Sequence, residues 1–124
     1  MEREQRVELP PQPASAREAR RFVARALRDA APEAREIGIL LVSELVTNAL
    51  LYAQGRIVLA VAPTASVYRI SVHDPLPGTV APRQVPVTAT SGRGLALVDE
   101  LSESWGVRSP SNSGKDVWFE VPRN

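Results

Sequence analysis

Two β-rich runs, Arg56 to Ala62 and Val67 to Asp74, stand four residues apart, joined by Pro63-Thr64-Ala65-Ser66. So short a link allows only an antiparallel hairpin, because parallel neighbours need a crossover of a dozen or more residues. The chain is thereby committed to an antiparallel pairing. Nothing around the hairpin has the strand–helix–strand regularity of a doubly wound nucleotide fold, so the remaining elements must be arranged about it in another way.

Those elements are legible from periodicity. Ser15 with Glu18 forms a capping-box pattern ahead of Ala19, Phe22, Val23, Ala26, Leu27 and Ala30, which predicts a helix over 16–30. Its Arg17, Arg21, Arg25 and Arg28 read as a solvated face. Pro32 suits the first turn of a second, longer helix whose buried row is Ile37, Leu41, Leu45, Ala49 and Tyr52, with Gly55 as its stop. The stretch from Pro75 to Thr90 holds four of the eleven prolines and no periodic pattern, as a lid or binding loop would. Leu95, Leu97, Val98 and Leu101 then describe a short third helix, and Trp105 to Arg108 and Val117 to Val121 two last strands around a polar turn over Ser109 to Gly114.

The order helix, helix, strand, strand, lid, helix, strand, strand fits an α/β (α+β) two-layer sandwich. Its sheet is expected to be mixed but mostly antiparallel, with about three helices on one face. Residues 1–13 read as a tail carrying at most an edge strand around Val7 and Leu9, residues 14–124 as one domain, and 75–91 as its lid.

Composition removes several function classes. With 15 basic and 14 acidic residues the formal charge is 15 − 14 = +1, which argues against a general nucleic-acid or membrane-surface binder. There is no cysteine, so thiolate nucleophiles, disulfides and cysteine zinc sites are excluded, and the single histidine, His73, cannot build a multi-histidine metal centre. No run approaches the roughly 20 apolar residues of a membrane span, and the charged first residues lack a signal-peptide core, so a cytoplasmic location is expected.

Chemistry shows where polar groups interrupt apolar rows. At 100° per residue, Ile37, Leu41, Glu44, Asn48 and Tyr52 fall within about 80° of one another, so Glu44 and Asn48 break a buried stripe. Left unpaired there, each would cost roughly 1–3 kcal/mol, so they face either one another in a satisfied hydrogen-bonded pair or a ligand cavity. Carboxylate and amide oxygens are ligands that Mg²⁺ accepts, with water and phosphate completing its shell. Strand alternation puts Tyr68, Ile70, Val72 and Asp74 on one face and Arg69, Ser71 and His73 on the other. Asp74 thus ends an apolar row as a turn cap or as the acceptor for a ligand amino group, and His73 reads as a surface residue. Gly92-Arg93-Gly94 is expected to open the third helix, where free amide N–H groups suit phosphate oxygens. Gly114-Lys115 is a weaker signal, although Lys115 is the only lysine.

In order, Glu44-Leu-Val-Thr-Asn48-Ala, Asp74, Gly92-Arg-Gly94-Leu-Ala-Leu-Val-Asp, and Gly114-Lys115 with Val117-Trp118 resemble the histidine-kinase-like (GHKL) ATPase superfamily over about residues 7–122. The resemblance is to its small bacterial branch, the anti-sigma factor serine kinases of the RsbW and SpoIIAB type. It implies a Bergerat-type ATP-binding fold with ATP and Mg²⁺ as cofactors. By that resemblance Asn48 would coordinate Mg²⁺, and Glu44 would be the general base. Asp74 would accept from the adenine amino group, and Gly92, Arg93, Gly94 and Leu95 would contact phosphates. The implied function is a serine/threonine protein kinase acting on a STAS-type anti-anti-sigma partner and binding a sigma factor, with pairing of two copies left open.

Three departures from the family pattern carry their own expectations. Leu76 stands where a small residue is common and would crowd the base pocket. Asp116 replaces a threonine and would bring a second negative charge toward Asp74. Tyr52 stands where many relatives have histidine, a tolerable change. The first two keep a second reading in play, a binding module without nucleotide turnover.

Overall fold

The computed structural model describes residues 3–52, 55–75, 89–108 and 114–123. Eight elements follow one another: β1 (Gln5–Leu9), α1 (Ala14–Ala26), α2 (Pro32–Tyr52), β2 (Ile57–Pro63), β3 (Val67–Asp74), α3 (Ala89–Leu101), β4 (Ser104–Arg108) and β5 (Lys115–Pro122). The strands make one five-stranded sheet in the order β1-β2-β3-β5-β4. All four pairings are antiparallel, so the mixed sheet expected from the sequence is replaced by a uniformly antiparallel one. The fold is an α+β two-layer sandwich with three helices on one face.

The hairpin forms with Val58 opposite His73 and Pro63 opposite Tyr68, and Thr64 closes its turn by accepting from the backbone N–H of Val67 at 3.0 Å. Pro32 begins α2, where its missing N–H costs nothing. That helix is 21 residues long, about 31 Å at 1.5 Å per residue, and it packs on α1, α3, β3 and β5. Leu41, Val42 and Val46 of α2 meet Val23 and Leu27, and the strands return Ile57, Leu59, Val61, Ile70, Phe119 and Val121, all fully buried. At roughly 1.5–3 kcal/mol per large apolar side chain removed from water, this layer supplies most of the drive to fold.

Two helix starts differ from the sequence expectation. Helix α1 spans Ala14–Ala26 behind an N-cap of Pro13, with no side-chain cap. Ser15 lies inside it, 2% exposed, and its Oγ donates to the carbonyl of Pro10 at 2.6 Å. A hydroxyl that ties the first turn back to the proline segment has replaced the capping box. Helix α3 begins at Ala89, so Gly92, Arg93 and Gly94 lie within the helix rather than at its opening, and the part of the expected lid over 89–91 is helical. The rest of that stretch, 76–88, and the turn over 109–113 lie outside the described residues.

Among the described residues, no helix lies on the sheet's other face. Across it run rows of paired residues, one of them Arg6, Ala60, Ser71, Trp118 and Gly106, flanked by charged rows that include His73 with Asp116 and Arg69 with Glu120. A half-open hollow of about 250 Å³ lies there, lined by Arg6, Val58, Ala60, Ser71, His73 and Asp116.

Candidate functional site

Glu44 and Asn48 sit one turn apart on α2, on the flank that faces α3. Both are half-buried. The Asn48 Oδ1 atom is buried and has no hydrogen-bond partner among the described residues. That removes the satisfied-pair reading for this oxygen. A buried amide oxygen without a partner costs roughly 1–3 kcal/mol, an expense that a bound ligand or ion would remove.

Helix α3 crosses α2 at the same place. Gly94 is buried, and a Cβ built on it would stand 3.9 Å from both the Cβ and the carbonyl oxygen of Glu44. The two helices thus touch at the candidate base, and ordinary contact distance leaves room there for a methyl group. Leu95, next along, is 37% exposed. The Arg93 side chain and the surroundings of Gly92 lie outside the described residues.

Asp74 ends the inward row of β3 and is 4% exposed. Its surroundings are fixed by glycines. Gly114 has φ +102°, a backbone conformation that strains any L side chain, and a Cβ there would collide with the Asp74 carbonyl oxygen and stand 2.9 Å from the Pro75 Cα. A Cβ on Gly55 would lie 3.1 Å from Pro75 Cγ. The chain beyond α2, the end of β3 and the start of β5 therefore meet at Asp74-Pro75.

One expectation fails here. Asp116 does not approach Asp74, because strand alternation turns it to the open face, where its Oδ1 lies 2.5 Å from Nδ1 of His73. The residue opposite Asp74 is Lys115. Sequence reading placed a second carboxylate in the pocket by counting from Gly-Lys, and the missing information was the register of β5 on β3. Leu76 lies outside the described residues, as does the side chain of Tyr52.

The candidate residues thus fall in two places: a half-buried carboxylate and an amide oxygen without a partner among the described residues at a glycine-backed helix crossing, and a buried aspartate at a pinned strand end. Oxygen donors of this kind suit Mg²⁺, and a buried carboxylate suits an N–H donor. A model describing the histidine kinase-like ATPase domain matches residues 9–121, and the chain belongs to that family. A search of curated proteins gave no match. No helix among the described residues is long and apolar enough to cross a membrane.

Proposed function

We propose that this ATPase domain binds Mg-ATP and acts as a regulatory serine/threonine protein kinase of the anti-sigma type. The observation that carries the reading is the buried Oδ1 of Asn48, without a partner among the described residues, one turn from Glu44, where helix α3 touches helix α2. Asn48 offers its oxygen to the ion, Asp74 accepts from the adenine amino group, and Glu44 takes the proton of an incoming hydroxyl. Mg²⁺, when bound, neutralises charge across the phosphates. The protein's own part is to hold these groups in place, since phosphoryl transfer depends on positioning and electrostatics more than on covalent chemistry. The acceptor is a hydroxyl of a STAS-type partner, the sequestered regulator is a sigma factor, and the setting is the cytoplasm.

The displacement of Asp116 from the pocket favours this reading over a binding module with a spoiled adenine site. Calorimetry with Mg-ATP tests it. The native chain should bind saturably, Asn48→Ala should lose at least tenfold in affinity, and Glu44→Ala should still bind but transfer no label from γ-labelled ATP to the partner. A native chain that shows no heat of binding, or transfers label equally well without Glu44, overturns the proposal.

A further inference from the structure

Helix α2 presents a second row besides its buried one. At 100° per residue Glu33, Glu36, Leu40, Thr47 and Leu51 fall within about 60° on the outward side, and every one of them is exposed. Glu44 stands on the shoulder of this row, at most about 80° from any member and about 40° from Asn48 on its inward side. A single exposed leucine needs no explanation. Among the described residues, however, four large apolar side chains are exposed, and three of them gather around Glu44: Leu40 at 41%, Leu51 at 56%, and Leu95 beside the crossing of α3.

The charge of the row is one-sided. Glu33 and Glu36 join Glu44, no basic residue stands among them, and none of the three has an ion-pair partner among the described residues. Glu33 has a reason within the helix, because a carboxylate in the first turn favours the dipole. Glu36 and Leu40 lie beyond that turn. Arg35 is directed elsewhere, donating from Nε to the Ala24 carbonyl of α1 at 3.3 Å. Leu40 and Glu36 precede Glu44 by one and two turns, about 6 and 12 Å along the axis. An extended chain advances about 3.3 Å per residue, so a segment laid along the row with a hydroxyl at Glu44 sets its second residue over Leu40 and its fourth near Glu36.

We propose that this outward row docks the acceptor segment, a stretch of partner polypeptide with an apolar side chain two residues and a basic side chain four residues from its hydroxyl, an assignment that rests on the kinase reading above. Leu40 covers the apolar side chain and Glu36 meets the cation. In the transfer the hydroxyl oxygen bonds to the γ-phosphorus of ATP as the bond from that phosphorus to ADP breaks, and Glu44 takes the proton. Recognition and chemistry thus divide along one helix.

The test follows label from γ-labelled ATP into synthetic peptides with one serine: Arg-Ala-Leu-Ala-Ser-Ala, the same residues in reverse order, and copies of each with Ala for Leu or Glu for Arg. One order should be labelled with kcat/KM at least about tenfold above its two copies. Glu36→Arg should reverse the charge preference in favour of the Glu copy, and Leu40→Asp should abolish the leucine preference, with Mg-ATP affinity in both variants within about twofold of native. Should Leu40→Asp fail to unfold cooperatively, Leu40→Ala is read in the same way. Equal labelling of all peptides, preferences that neither substitution alters, or a matching loss of Mg-ATP affinity in both variants overturns the docking row. A native chain that labels its partner protein but none of the peptides overturns the row alone; one that labels neither overturns the kinase reading, and the row with it.

Discussion

Phe119 and Trp118 are neighbours on β5, yet they live in different solvents. Phe119 points into the helix layer and is fully buried. Trp118 points to the other face, where no helix of the described residues reaches it, and stays half-buried by lying along the sheet. A Cβ on Gly106 would stand 2.7 Å from Trp118 Cζ2, and the Arg69 guanidinium sits 3.9 Å from its ring centroid, itself paired with Glu120 at 3.0 Å. One face is built from shape and exclusion of water, the other from lateral contacts that water can compete for. The comparison teaches that a sheet needs helices on only one side when its other side covers its own large residue.

The sharpest way to break the contrast is truncation on each face. Phe119→Ala should cost about 4 kcal/mol, as large aromatic deletions in a close-packed core do, and Trp118→Ala about half that or less, read from urea midpoints at equal slope. Should both cost the same, the open face is covered by something other than its own side chains. Next in size is the contrast between two glycines. Gly114→Ala meets backbone atoms and a positive φ, so about 2–3 kcal/mol should be lost. Gly106→Ala meets only an indole that can swing outward, so about 1 kcal/mol should go, with a change in tryptophan emission. The smallest effect belongs to the 2.5 Å contact between His73 and Asp116, each about 30% exposed. Asp116→Asn should move stability by under about 1 kcal/mol and leave Mg-ATP binding unchanged. A loss of binding there would put Asp116 back in the pocket.

Much of the architecture could be read beforehand because it depends on local rules. Pro63 to Ser66 forces the hairpin, Pro32 marks a helix start, and the apolar rows of α2 and β3 identify their buried faces. The candidate site was legible to the extent that Glu44, Asn48 and Asp74 interrupt those rows. What escaped depends on pairing between distant segments. Nothing local tells Lys115 rather than Asp116 that it will stand opposite Asp74, since a shift of one residue reverses every side chain on β5. The extra turn at the start of α3 escaped because Gly92 and Gly94 are poor helix formers, and tertiary contact with α2 outweighs roughly 1 kcal/mol of propensity at each. Ser15 misled because its hydroxyl had a nearer acceptor in Pro10 than the helix amides.

Pro75 is gripped between Gly55 and Gly114, close enough on both sides that neither neighbour has space for a methyl group without displacement. A joint clamped in this way behaves as a fulcrum. The end of β3 cannot shift there without displacing the backbone around Gly55 or Gly114, so the place of Asp74 is tied to both of those segments.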